Sequence, residues 1–467
     1  MDNKRVAGVV LAAGEGKRLK SDLPKVLHLA AGKALVVHVF DALAGVDLAA
    51  RVAVVSRSGD EIREVLGSEG HANVEYAVQD PPRGTGDALR VALPHAGSGI
   101  DAVLVTNGDS PLLRTETVSS LIHAHLASSA GATMLTATAP GTTDGGRIVR
   151  GRDGNVERIV ETRDATPDEL LISEVNAGIY VFDVDGLAGL LDALTPDNSQ
   201  GEYYLTDVIS MLQERGRAIQ AFPCPWEETL GVNDRVHLAE VAAILRRRTA
   251  EHWMHEGATI VDPASTFIDS TVTIDRDAVI MPFTFLEGAT SIGEGAEVGP
   301  QTRLIDTKVA AGASVTFSVA RGSVIGPESS VGPYASLRPG TTLERRSKIG
   351  TFVETKNTTI GDDSKANHLS YLGDAVIGRG VNVGAGTITC NWDGKEKHQT
   401  VIDDEAYISS DTMLVAPVRI GKRAATGAGS VVRDDVPDDS LAVGVPARII
   451  PGRGDRMGKH PEGEQGG

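Results

Sequence analysis

Residues 268–304 read IDSTVTIDRDAVIMPFTFLEGATSIGEGAEVGPQTRL, a stretch in which Ile268, Ile274, Ile280, Leu286, Ile292, Val298 and Leu304 recur every six residues without a miss. Val319, Ile325, Val331, Leu337, Leu343 and Ile349 repeat the spacing, and Ile402, Ile408, Leu414 and Ile420 extend it. In a chain that is 41% hydrophobic, runs this long are a poor match to chance. The spacing predicts a β-helix: each hexapeptide forms one short strand and turn of a triangular coil, and its aliphatic side chain points inward onto those above and below. About 10 coils of three hexads fit between Ala258 and Ile450. Many of the aliphatics precede glycine, as in Ile292-Gly293, Ile325-Gly326 and Ile349-Gly350, where a Cβ would clash at a tight corner. Such repeats build a core without naming a reaction, so periodicity alone leaves catalysis and a scaffold or oligomerising role about equally open.

Upstream the period changes. Short β-branched runs alternate with helical stretches (Val6 to Leu11, Ala34 to Leu43, Val52 to Val55, Glu61 to Leu66, Val103 to Thr106), the pattern of an α/β domain with a largely parallel sheet. Ligands of such sheets bind at the carboxyl ends of strands, which directs attention to the loops after Leu11 and Thr106. Between the halves, Asp234 to Glu256 carries Val236, Ala239, Val241, Ala242, Leu245 and Trp253 in a helical stripe, with Arg246, Arg247 and Arg248 on a solvated face. These shifts divide the chain into an α/β domain over 1–232, a linking helix over 233–256, a β-helix over 257–451 and a disordered tail over 452–467 rich in glycine and charge.

Charge and cysteine usage narrow the function. The 467 residues include 45 Lys plus Arg against 63 Asp plus Glu, a net charge of -18 that repels phosphate backbones, so nucleic acid is not an expected partner. Cys224 and Cys390 lie in different halves without metal-ligand spacing, which argues against a disulfide framework or a zinc site and fits a reducing cytoplasm. The apolar run Val6 to Ala13 is too short for a signal peptide, and no stretch reaches the roughly 20 apolar residues that span a bilayer.

Leu11-Ala12-Ala13-Gly14-Glu15-Gly16-Lys17-Arg18 follows the first strand and is trailed by Pro24-Lys25. A glycine turn there lets backbone N–H groups approach phosphates, and Arg18 and Lys25 can neutralise charge that develops during phosphoryl transfer. The combination resembles the sugar-phosphate nucleotidyltransferase family, and the likeness continues in order through Gln79 with Gly84-Thr85-Gly86, Asn107-Gly108-Asp109-Ser110-Pro111-Leu112, Gly145-Gly146-Arg147-Ile148, Val160-Glu161, Glu174-Val175-Asn176-Ala177-Gly178, Gly201 to Asp207 and Gly231-Val232-Asn233. The resemblance implies a uridylyl transfer from UTP. Leu11, Ala12, Ala13, Gly14, Lys25, Gln79, Gly84, Thr85, Gly146, Glu161, Asn176 and Asn233 would hold the nucleotide and the sugar. Asp109 and Asn233 would hold Mg2+, whose other positions go to phosphate oxygens and water.

The coils carry polar groups that packing does not require: Arg338, Lys356, His368, Tyr371 and Asn382. Two cations suit a sugar phosphate, and an imidazole is a base able to take a proton from an amine attacking a thioester. Lys365 to Asp374, followed by Asn382 to Asn391, is similar to the family of bifunctional N-acetylglucosamine-1-phosphate uridylyltransferases and glucosamine-1-phosphate acetyltransferases. With the first half, the likeness covers nearly all of residues 5 to 443. It implies an α/β domain followed by a left-handed parallel β-helix, with His368 as general base and Arg338, Lys356, Tyr371 and Asn382 on glucosamine-1-phosphate. Ala385, Asn391, Trp392, Ser410, Ala428 and Arg448 would meet acetyl-CoA. It also implies a homotrimer in which the segment Gly386 to Thr400, which interrupts the hexads, reaches a neighbour. Trp392 stands where many members have tyrosine, and no arginine precedes Val445-Pro446, so Arg448 is the substitute contact for the coenzyme phosphates. The alternative is a nucleotidyltransferase with a purely structural repeat domain.

Overall fold

The structure is a computed structural model that describes residues 4–14, 16–57, 59–141, 143 and 145–454. Glu15 of the first glycine loop and most of the expected tail, 455–467, lie outside the described residues. The chain forms two compact units, 1–245 and 246–467.

In the first unit the central strands run in the order Ile219–Pro223, Ala132–Thr138, Glu174–Asp183, Ala102–Asn107, Val6–Leu11, Ala50–Val55, Glu75–Val78. Val6–Leu11 lies parallel to both neighbours, while Glu174–Asp183 runs antiparallel to both of its own, so the sheet is mixed. Successive residues of each strand enter opposite cores, as the two-residue side-chain period requires. Val10, Ala53 and Leu104 pack with helices Leu35–Ala44 and Thr115–Ala127. Val9, Val54 and Val105 pack with Thr85–Ala92, Leu187–Asp192 and Asp207–Glu214. A strand buried on both faces reads as the unbroken apolar run seen in Val6 to Leu11.

The linking helix spans Arg235–His255, and Asp234 caps it, its Oδ1 accepting from the N–H groups of Val236 and His237 at 2.9 Å. Val241, Ala242 and Leu245 are buried, but Val236 and Ala239 face outward, so the apolar stripe starts one turn later than expected. Arg246 is not simply solvated, because its guanidinium lies 4.9 Å over the ring of Phe267.

The second unit is a parallel β-helix. One face is a nine-stranded sheet from Thr273–Ile274 to Val418–Ile420; the other two merge because Lys348–Lys356 and Lys365–Gly373 each bend around a corner. The predicted inward column is buried, from Ile268 through Leu304 and again from Ile402 to Ile420. Val319 is the exception at 37% exposed, and Ala320 takes the inward place. Leu304, Val309, Val315, Ala320 and Ile325 are the buried aliphatics there, so three of the four steps shorten to five residues and shift the register, and a one-residue shift turns a side chain to the other face.

Glycines after the aliphatics answer to the next coil: a Cβ on Gly350 would lie 2.1 Å from the Asn367 carbonyl oxygen. The corners themselves are often left-handed at non-glycine residues such as Asp277, Phe317, Tyr334 and Phe352. A second buried column, two residues before each aliphatic, holds short hydroxyls: Thr284, Thr290 and Thr341 donate to the carbonyls of Met281, Glu287 and Arg338 at 2.7–2.8 Å. A hydroxyl there donates to a corner carbonyl, and at Glu287 that carbonyl also accepts the Asp306 N–H at 3.2 Å. Gly454, read as tail, is buried, and its N–H donates to the Asp439 carbonyl at 2.9 Å.

Candidate functional site

Leu11 and Asn107 are register partners at the carboxyl ends of adjacent parallel strands, and the Gly108 N–H donates to the Leu11 carbonyl at 2.9 Å. A cavity of about 660 Å³ opens above these ends, lined by Leu11, Ala13, Gly14, Arg18, Lys25, Gln79, Gly84, Thr85, Asp109 and Asn233 among the expected residues. Ala12 is buried beneath it. The Gly231–Asn233 segment is brought in by a main-chain bond from the Val232 N–H to the Asp109 carbonyl at 3.0 Å. As a result, Lys25 Nζ pairs with the Asp109 carboxylate and donates to Asn233 Oδ1 at 3.2 Å. A carboxylate and an amide oxygen that converge on one cationic point form a hard donor set of the kind Mg2+ selects, and the ammonium stands where such an ion would sit.

Gly84 has φ of 112°, and a Cβ there would lie 2.6 Å from the Tyr203 carbonyl oxygen. Gly86 donates its N–H to that same oxygen at 2.8 Å. This pair of glycines, expected from the resemblance to lie at the nucleotide, is required first by the Gly201 to Asp207 segment that packs on them. Gln79 is 4% exposed and its Nε2 donates to Gly84 O at 3.0 Å and Asp87 Oδ2 at 2.9 Å.

Gly146, Glu161 and Asn176 form a group beside the cavity rather than in its lining. The Asn176 N–H donates to the Gly146 carbonyl at 2.9 Å, and Asn176 Nδ2 donates to the Tyr180 hydroxyl at 2.6 Å. Burial, then the charges of Asp164 and Asp207, push the Glu161 carboxyl up. Burial, then Glu161, pushes the Tyr180 phenol up. Asn107 and Glu202, which line the cavity, were not singled out by sequence, although both lie inside quoted motifs.

On the β-helix, Thr355 is register partner of both Leu337 and Leu372, and Lys356 of Gly373, so Arg338, Lys356 and Tyr371 cluster on successive coils. Arg338 donates to Glu354 at 2.8 Å. A third cation joins them: Lys397, then Arg338, hold the Lys356 ammonium below the usual lysine range. Like charges this close disfavour one another's charged form. No sequence signal marked Lys397, because the segment that carries it departs from the repeat.

That segment is a small hairpin in which Trp392 bridges Lys397, and the Trp392 side chain is 57% exposed. Asn391 is buried, and its Nδ2 donates to Asp374 at 2.5 Å, with Asn357 donating to the other carboxylate oxygen at 2.7 Å. Burial alone would raise the Asp374 carboxyl, but these two amides and the Lys397 and Lys356 charges hold it low. In this chain Asn391 therefore anchors the hairpin.

His368 is exposed, as the expected general base must be, and follows Thr351 in register. It lies across the bend at Leu369 from Tyr371, and Asn382 pairs with Lys365 on the same side as His368. Among the described residues no hydrogen bond or ion pair joins the His368 or Asn382 side chain to Arg338, Lys356 or Tyr371. Ala385, Ser410 and Ala428 occupy one corner of successive coils, tied by Asp411 N–H to Ala385 O at 2.7 Å and Gly429 N–H to Ser410 O at 2.9 Å. Arg448 is exposed on the last strand, opposite Val443. Along the same corner stand Tyr334 and Phe352, stacked 5.8 Å apart, and Leu369, each more than half exposed.

The MobA-like NTP transferase domain family matches residues 8–181. The chain is 48% identical to the bifunctional protein GlmU of Exiguobacterium sibiricum over 93% of this chain and 96% of that protein. It is 48% identical to the protein of the same name from Carboxydothermus hydrogenoformans, over 93% and 97%. For that of Mycolicibacterium vanbaalenii the identity is 48%, over 96% and 92%.

Proposed function

The chain belongs to the GlmU family of bifunctional enzymes, a nucleotidyltransferase joined to an acetyltransferase, and from that membership we propose how its residues divide the work. The β-helix acetylates glucosamine-1-phosphate with acetyl-CoA; the α/β unit then transfers uridylyl from UTP to the N-acetylglucosamine-1-phosphate, releasing pyrophosphate. In the cleft, a phosphate oxygen of the sugar attacks the α-phosphorus of UTP as the bond to pyrophosphate breaks. Arg18 and Lys25 face the charge that builds on the phosphates, and positioning does the rest, because no covalent enzyme intermediate is needed. Asp109 and Asn233 would hold Mg2+, which when bound neutralises phosphate charge. Gln79, Gly84 and Thr85 take the base, and Gly146, Glu161 and Asn176 the sugar.

On the coils the substrate amine attacks the thioester carbonyl, His368 takes the amine proton, and coenzyme A leaves as the thiol. Arg338, Lys356, Tyr371 and Asn382 hold the sugar phosphate, with Lys397 as a third cation. Ala385, Ser410 and Ala428 form the track for the coenzyme, with Trp392 and Arg448 at its flanks. The separation of His368 and Asn382 from the Arg338 cluster, together with the exposed column of Tyr334, Phe352 and Leu369, supports a homotrimer whose acetyl sites are completed by a neighbour. Two free cysteines and these substrates favour the cytoplasm as its place of work; among the described residues no helix is long and apolar enough to cross a membrane.

The observation that carries the reading is the convergence of Asp109 and Asn233 on one cation at the carboxyl ends of two adjacent strands. A coupled assay with glucosamine-1-phosphate, acetyl-CoA, UTP and Mg2+, following coenzyme A and pyrophosphate separately, tests it. Release of both is expected. Pyrophosphate from N-acetylglucosamine-1-phosphate without any coenzyme A release would reduce the coils to a scaffold.

A further inference from the structure

We propose that Asp87 is the positioning residue that sets base selectivity: it holds the Gln79 amide so that the carbonyl oxygen, and not the NH2 group, faces the cleft. The proposal rests on the assignment of Gln79 to the base. Its structural grounds lie in a side chain that needs no contact with substrate.

Asp87 is 2% exposed and sits one turn into the helix Thr85–Ala92. Its carboxylate accepts from Gln79, from Arg83 at 3.1 Å and from Arg90. Burial alone would raise this carboxyl, but those donors outweigh burial and hold it below the usual carboxylate range. An ionised carboxylate only accepts hydrogen bonds, and so does the Gly84 carbonyl, the second partner of Gln79 Nε2. Turning the amide over would set Gln79 Oε1 against two acceptors and leave them unsatisfied in a buried place. The orientation of the amide therefore follows from the chemistry of its partners.

With both amide hydrogens engaged, Gln79 has only Oε1 to offer the cavity it lines. Uracil presents an N3–H donor to such an oxygen. Cytosine presents an unprotonated N3, so two lone pairs would face each other. A site built to accept one hydrogen bond rejects the analogue that lacks it far more strongly than an apolar pocket does. Arg83 and Arg90 hold the clamp and also lie 5.9 and 5.7 Å over the Tyr203 ring, which ties it to the segment that closes on Gly84.

The test is kcat/KM of the full chain for UTP and for CTP with N-acetylglucosamine-1-phosphate. In Asp87→Asn the two arginines draw the new amide oxygen, its NH2 turns toward position 79, and the Gln79 amide is free to rotate. The UTP/CTP ratio is expected to fall by at least about tenfold. An unchanged ratio in Asp87→Asn, or an equal loss on both nucleotides, overturns the proposal while leaving the base assignment standing. A parent enzyme that transfers uridylyl without preferring UTP over CTP overturns the base assignment, and the clamp with it. Should Asp87→Asn not fold, Asp87→Ala combined with Arg83→Met and Arg90→Met removes both unpaired cations and is read by the same ratio.

Discussion

Inside the α/β unit, Lys25, Asp109 and Asn233 satisfy one another in a cavity of about 660 Å³, whereas on the coils Arg338, Lys356 and Lys397 crowd like charges on an open surface. In the cleft the Lys25 ammonium is shared by the Asp109 carboxylate and the Asn233 amide oxygen. On the coil surface the three cations face the Glu354 and Asp374 carboxylates, and His368 lies across the left-handed bend at Leu369 from Tyr371.

The sharpest way to break this comparison is to disable each region in turn. Asp109→Ala is expected to lower uridylyl transfer on the order of a thousandfold and leave acetyl transfer untouched. His368→Ala is expected to lower coenzyme A release on the order of a hundredfold or more and spare uridylyl transfer. Separate assays of pyrophosphate and free thiol read both, and any cross-effect contradicts the division of labour.

A smaller effect probes the packing beneath the coil surface. Ile325→Ala removes a fully buried rung and is expected to cost about 2–4 kcal/mol, while Val319→Ala, on the outward side of the register shift, stays within about 0.5 kcal/mol. Denaturant melts of the two variants should differ accordingly; equal losses would restore the uninterrupted six-residue register.

The smallest effect is a pH dependence in the α/β unit. Because burial, then Asp164 and Asp207, raise the Glu161 carboxyl, the folded state keeps a proton that the unfolded chain has released. The stability it contributes is complete below the ordinary glutamate range and is lost as pH rises through the raised folded value. Glu161→Gln removes that loss, so its melting temperature should gain on the parent as pH climbs from acid to neutral. A constant difference across pH would argue against it.

Much of the coil was legible because a β-helix repeats one environment, so a single spacing reports every inward side chain from Ile268 to Leu304. Where three steps shorten to five residues, the spacing misplaced Val319. The column of Thr284, Thr290 and Thr341 went unread although it keeps the same period. In the α/β unit the glycine turn, Gln79, Asp109 and Asn233 could be read as candidates because each lies in a short local motif. Asp87 and Lys397 could not: their roles depend on which side chains they meet, Gln79 in one case and Lys356 in the other.

What the sequence determined by itself was periodicity and local chemistry: an aliphatic every six residues must stack, and a glycine turn after a buried strand must open at the sheet's edge. Only tertiary structure decided that Asp109 and Asn233 share one cation, that the Gln79 amide donates to Gly84 and Asp87, and that Arg338, Lys356 and Tyr371 meet on successive coils. Those facts depend on distances between residues remote along the chain, which the balance of burial and hydrogen bonding sets only once the chain has folded.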